Sequence, residues 1–200
     1  MLLSTAYFPP VSWFALAASR SAVQVEACEN YRKQSYRNRC RIYSAGGVET
    51  LSVPIVHEGG PVPVVKARID YSCPWVQRTK RAIASAYGNS AYFSHYADEL
   101  FGILDGRHEF LFTLNARIRD FIAEKTGLSA VFRDTDVYVR EAEEDYRELI
   151  HPKRENTVLR DLGIEKPYFQ VFARKYGFIG DLSVMDLLFN EGPDSILYLR

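Results

Sequence analysis

Residues 1–27 read MLLSTAYFPPVSWFALAASRSAVQVEA, and the fold class turns on how they divide. Residues 2–7 are apolar, as a buried strand would be. Tyr7-Phe8-Pro9-Pro10 then breaks the run, because proline fixes its own backbone and donates no hydrogen bond. Residues 11–20 (VSWFALAASR) suit a short buried helix, and VQVEA at 23–27 alternates apolar with polar, the period of a strand. Strand, turn, helix and strand in under thirty residues make a short βαβ-like opening. Such a unit favours parallel pairing, with ligands near the carboxyl ends of the strands. A signal peptide is the competing reading of the same residues. Against it, no Lys or Arg precedes Arg20, and Pro9-Pro10 cuts the apolar run in two. Neither half reaches the ~20 apolar residues of a membrane span. The expectation is a cytoplasmic protein without a span.

Outward from this opening, composition bounds the rest. The chain has 200 residues, 47% of them hydrophobic and 14% aromatic, which suits one domain over 1–200 with a large core. Lys+Arg and Asp+Glu both number 25, so the net charge is zero and a general nucleic-acid binder is disfavoured. Cys28, Cys40 and Cys73 are odd in number and lack metal-ligand spacing, so buried thiols in a reducing compartment are expected.

RCRIYS, AGG and VETLSVPIV (39–56) read as two strands around a Gly-rich turn. Residues 57–63 are a loop by composition, and 64–70 read as another strand. Pro74 suits the first turn of a helix that runs to Gly88, with Ser72 as its cap. Two amphipathic helices follow over 91–105 and 108–126, parted by Gly106 and ended by Gly127. Residues 131–140 look like a late strand. Residues 141–157 are polar and mixed in charge, as in a solvated helix or mobile loop, and LSVMDLLF (182–189) should dock as a helix. The predicted fold is α/β, a central mixed sheet flanked by helices.

One stretch stands apart from the neutral whole. ENYRKQSYRNRCRI (29–42) holds Arg32, Lys33, Arg37, Arg39 and Arg41 against Glu29. In a strand, Arg37, Arg39 and Arg41 share a face; in a helix, Lys33, Arg37 and Arg41 do. Tyr31 and Tyr36 interleave, and the guanidinium fork matches phosphate or carboxylate. The plainer alternative is internal pairing with the acidic run 134–148, or simple solvation. Asp70 follows a predicted strand, where a carboxylate suits either a site or a loop cap, and Arg78 on the next helix extends the cationic surface. His57 lies in the HEGG loop, where a proton carrier would work and where surface histidines are also common. HExxH, CxxC, GxGxxG, GxxxxGK[ST] and GxSxG are all absent, so no metal site, cofactor fingerprint or hydrolase elbow is indicated.

Five blocks together resemble the WbqC-like protein family. They are LSTAYFPPVSWF (3–14), NYRKQSYRNRCRI (30–42), LSVPI with VKARIDYSCPW (51–55 and 65–75), RAIASAYGNSAYFSHYADEL (81–100) and FIGDLSVMDLLFNEGPDSILYL (178–199). The resemblance runs nearly end to end. It matches Tyr7 and Pro9 to the family's Tyr-x-Pro, and Asn38-Arg39 with Arg41 to its Asn-Arg pair. Asp70, Pro74 and Trp75 fall on its Asp…Pro-Trp block, and Leu182, Ser183 and Asp186 on its last block. Where many members carry His-x-Pro, this chain reads Leu3-Ser4-Thr5. The family takes its name from O-antigen gene clusters. The resemblance therefore implies a transferase of surface-polysaccharide synthesis that attaches an amino acid to a nucleotide-linked amino sugar. Arg37, Arg39 and Arg41, with Lys33, Asn38 and Arg78, would hold the phosphate. Asp70 would orient or deprotonate the amine, and Tyr7 and Trp75 would line the cleft. No cofactor is required. The alternative is a non-catalytic module that binds a nucleotide, RNA or an acidic partner through 32–41.

Overall fold

The structure, a computed structural model, describes residues 1–57, 59–154 and 156–200. Positions 58 and 155, inside the expected loop 57–63 and polar segment 141–157, lie outside the described residues. The opening folds as its pattern requires. Strand β1 (Leu2–Ser4), helix α1 (Val11–Ala18) and strand β2 (Ala22–Glu26) form a parallel crossover, with Leu2 opposite Gln24 and Ser4 opposite Glu26. Phe8, in the turn between them, is fully buried at φ 42°, a conformation bulky residues adopt only when packing holds them there. Seven of the eight α1 residues are buried, as befits a helix that is apolar all round.

The α/β class holds, with parallel and antiparallel strands carried in two separate sheets. Strand β2 lies at the centre of the three-stranded parallel sheet, between β1 and β5 (Val131–Asp134). The hairpin β3 (Arg39–Ser44) and β4 (Gly47–Ser52) stands alone as an antiparallel pair. Helices α2 (Trp75–Tyr87), α3 (Phe93–Asp105) and α4 (Leu111–Lys125) follow the sequence reading closely. At the end of α4, Gly127 (φ 68°) donates its N–H to Glu124 O at 3.1 Å, and Leu128 N–H reaches Ala123 O at 2.8 Å. That left-handed turn is the conformation glycine adopts without a Cβ penalty. Short helices α5 (Val158–Asp161) and α6 (Ala173–Tyr176) lead to α7 (Val184–Glu191), which is docked as expected and buried over most of its length.

Three expectations are corrected. Residues 64–70 are not a strand but a 3-10 turn at Val64–Lys66 followed by isolated bridges, Arg68 to Phe110 and Ile69 to Ile55. Val65 N–H donates to Ala27 O, Ile69 N–H to Glu109 O and Asp70 N–H to Pro54 O, so the segment pairs piecemeal with three different partners. The late strand stops at Asp134, because the Thr135 hydroxyl takes the place of a ladder carbonyl and accepts the Ala27 N–H at 3.0 Å. Within the expected polar segment, residues 144–146 are neither helical nor loose. Leu2 N–H donates to Glu144 O at 2.8 Å and Tyr146 N–H to Leu2 O at 3.0 Å, so this segment covers the edge of β1.

One continuous core runs from Leu3 to Leu199. The last block ties the layers together. Val184 N–H donates to Pro9 O, Val11 N–H to Leu182 O and Ser183 N–H to Arg41 O, at 2.8–2.9 Å. Asp181 Oδ1 accepts the Ser12 N–H at 2.8 Å and so caps α1 from 169 residues away.

Candidate functional site

The basic stretch divides at Asn38. Arg37 turns inward to the carboxyl end of the parallel sheet and is 4% exposed. Its Nε donates to one Glu29 oxygen at 2.9 Å and Nη2 to the other, while Nη2 also reaches Ser4 Oγ at 2.8 Å. Beside it Glu26 is fully buried. It accepts from Cys28 N–H (2.9 Å), Thr135 Oγ1 (2.6 Å), Val139 N–H (2.9 Å) and Arg147 Nη1 (3.3 Å). The place where an open parallel sheet usually offers a ligand crevice is thus filled by the protein's own charges. Only about 10 Å³ stays open around Ser4 and Arg37. The basic stretch thus meets the end of the first strand through Arg37 and Ser4, but as a buried ion pair with Glu29 rather than as an open cleft.

Beyond Asn38 the chain enters β3, and the pleat decides what faces where. Cys40 and Ile42 are fully buried, and Arg39 and Arg41 point to the opposite, half-buried face. Two of the three arginines expected on one strand face are therefore there. Asn38 holds the hairpin to its neighbour: its Nδ2 donates to Val53 O at 2.9 Å and Val53 N–H returns to Asn38 O at 2.9 Å. Its Oδ1 is buried and unpartnered.

Arg39 stands at the wall of an open cleft of about 580 Å³. Tyr31, Lys33, Asn38, His57 and Arg68 share that wall, with Gly59 and Gly60 between. Burial raises the Tyr31 hydroxyl's pKa, against the lowering effect of Arg39 and Arg37. No carboxylate belongs to the lining among the described residues. Arg68 meets Glu109 at 3.4 Å, but both are more than half exposed, so that pair is weak. Lys33 and Arg39 lie within salt-bridge reach of no carboxylate among the described residues, and the Arg39 Nε is buried without a partner. His57 Nδ1 accepts the Gly59 N–H at 2.9 Å. A neutral His57 therefore carries its proton on Nε2, as a donor.

The remaining expected residues are dispersed. Trp75 and Arg78 line a second groove of about 470 Å³ along α2, which meets the first at Asn38. Trp75 is 4% exposed, its indole N–H unpartnered. Tyr7 is fully buried near Thr79 and Cys40, a core position whose hydroxyl is held far from ionisation by burial. Asp70 lines neither cleft. Its Oδ1 accepts the Ser72 N–H at 2.8 Å, and that bond lowers its pKa, which makes it a poorer base. The loop-cap reading describes its geometry, and α2 has no side-chain cap from Ser72. Pairing of 29–42 with the acidic run is realised at one residue: Arg32 reaches Glu148 at 2.7 Å on the surface. Arg68 was missed because its turn looked like a strand, and Glu26 and Arg147 because nothing local marks them. Glu29 was visible as the one anion in a basic run.

Fold and site together define a class: a small α/β protein with a cationic cleft between a β-hairpin edge and a proline- and glycine-rich loop. A family model described as the WbqC-like protein family matches residues 5–165, and the chain belongs to that family. It is also similar to "Uncharacterized protein Rv1507c" of Mycobacterium tuberculosis (strain ATCC 25618 / H37Rv), 25% identical across all of this chain and 96% of that protein. No solved structure matches. Among the described residues no helix is long and apolar enough to cross a membrane.

Proposed function

We propose that the cleft at Arg39 holds the phosphate of a phosphorylated or nucleotide-linked small molecule, and that the protein is a transferase of surface-polysaccharide assembly acting on a nucleotide-linked amino sugar. The observation that carries this reading is the uncompensated charge. Arg39 and Lys33 share one concave wall with Arg68, and no carboxylate stands among the described lining residues. Like charges gathered on one wall repel one another, and guanidinium and ammonium donors fit phosphate oxygens. The Nε2–H of His57 adds a donor, and Tyr31 offers a ring at the rim. Such a site acts by positioning and by fixed charge rather than by covalent chemistry. Asp70, held by Ser72, is left to orient the turn before α2. Titration with nucleotide sugars, followed by calorimetry, tests the reading. The expected result is selective binding that Arg39→Gln weakens at least tenfold, followed by turnover when an amine acceptor is added. Absence of binding to any phosphate-bearing compound sinks it.

The described lining carries donors and no carboxylate base, which favours a second reading, a module that binds the same phosphate compound without turning it over. Tight binding with no product after prolonged incubation with acceptors selects it.

A further inference from the structure

Arg39 belongs to two clefts. On its other side lies a smaller hollow of about 260 Å³, lined by Gln34, Tyr36, Arg41, Thr50 and Lys153 as well as Arg39 itself. Gln34 also stands in both walls, so the two hollows adjoin across one glutamine and one arginine. The smaller hollow holds three cations from two distant segments and, among the described lining residues, no carboxylate. The Lys153 ammonium donates to the neutral amide oxygen of Gln34 and forms no ion pair among the described residues. Arg41 meets the hydroxyl of Tyr36, and its charge helps to keep the buried Asp181 ionised, although both Asp181 oxygens are already taken by Ser12 and Asn156. Gln34 itself sits at φ 61°, a left-handed conformation uncommon outside glycine and asparagine.

We infer that this hollow is a second anion subsite, and that the ligand is a diphosphate ester whose two phosphate groups straddle Arg39. The inference rests on the phosphate cleft proposed above and extends it. One phosphate takes Lys33, Arg39 and Arg68; the next takes Arg39, Arg41 and Lys153. The Gln34–Lys153 contact is the element that yields, since an amide oxygen is a weaker partner for an ammonium than a phosphate oxygen is. A single phosphate satisfies one hollow and leaves the other charged and empty. A diphosphate neutralises both.

The test is calorimetric titration of the full-length protein with inorganic phosphate, pyrophosphate and a nucleoside diphosphate, at low and physiological salt. Wild type should bind pyrophosphate and the nucleoside diphosphate at least tenfold tighter than phosphate. Lys153→Ala should erase that preference; the lysine is exposed, so its removal does not threaten folding. Arg68→Gln should weaken phosphate and diphosphate alike. Equal affinities in wild type, or a preference that survives Lys153→Ala, overturn the second subsite and leave the first cleft standing. No binding of either inorganic anion or of the nucleotide overturns both.

Discussion

Arg37 and Arg39 are two residues apart and chemically identical, yet they belong to different regions with opposite electrostatic states. Around Arg37, at the end of the parallel sheet, the charges are paired: the two oxygens of Glu29 take Nε and Nη2 of the guanidinium, and Arg147 answers Glu26. Around Arg39, at the hairpin edge, cations face open volume. One region is compensated and closed; in the other, Lys33 and Arg39 meet no carboxylate among the described residues, and the wall is open. The lesson is that a run of positive charge in a sequence says little until each cation is assigned a counter-charge, and a single register position decides which kind it is.

The comparison breaks most visibly at the closed region. Glu29→Gln strands a buried guanidinium, and loss of one partner of such a pair costs about 3–5 kcal/mol. Urea denaturation should show that drop, and a joint Glu29→Leu, Arg37→Met exchange should recover most of it. A single substitution that costs under about 1 kcal/mol would mean that water reaches Arg37 after all. In the open region the signs reverse. Arg39→Gln should change stability by under about 1 kcal/mol, as surface charges do, while phosphate-ligand affinity falls at least tenfold, about 1.4 kcal/mol. If Arg39→Gln unfolds the protein instead, the guanidinium is structural and the contrast with Arg37 disappears.

A third test uses buried carboxylates that neither region compensates with a cation in contact. Asp186 accepts from Tyr168 Oη at 2.6 Å and Gln170 Nε2 at 2.8 Å, and burial raises its pKa to about 6, as it does for Asp181. The ordinary value is 3.8. Between these values the folded state binds more protons than the unfolded state. Stability from these groups therefore rises as pH falls from about 6 towards 4 and is lost as pH climbs back through 6. Melting curves of Asp186→Asn across that range should show a flatter pH dependence than wild type; an unchanged slope would place the titration elsewhere. The smallest effect is expected at Asp70→Asn. Asparagine still accepts the Ser72 N–H, so stability should shift by a few tenths of a kcal/mol, within the usual range for an exposed site. Ligand affinity should not move. A large loss of turnover with intact binding would return Asp70 to the chemistry.

Much of the architecture was legible because it rests on short-range rules. The strand–helix–strand opening, the hairpin about Gly46-Gly47 and the helices ending at Gly88, Gly106 and Gly127 each follow from periodicity and from local breakers. What failed, failed where partners were distant. Residues 64–70 have a strand's composition, but three separate partners made them a turn with bridges. The polar segment has a solvated composition, but two backbone hydrogen bonds to Leu2 drew residues 144–146 onto the sheet edge. The site was legible in part. The basic stretch supplied Lys33, Asn38 and Arg39, which the fold sets on the wall of one cleft, whereas Arg68 came from a segment read as a strand and Lys153 from one read as loose.

The sequence by itself determined the α/β class, the family and the presence of a local excess of arginine, because these depend on residue types and short spacings. Only the tertiary structure decided which arginines are neutralised. A counter-charge is a matter of distance in space: Glu148 reaches Arg32, and Glu29 turns onto Arg37 rather than onto another cation of its stretch, only once the chain has folded. The same folding buried Tyr7, tied Asp70 to Ser72 and brought Arg68 and Lys153 to the two sides of Arg39.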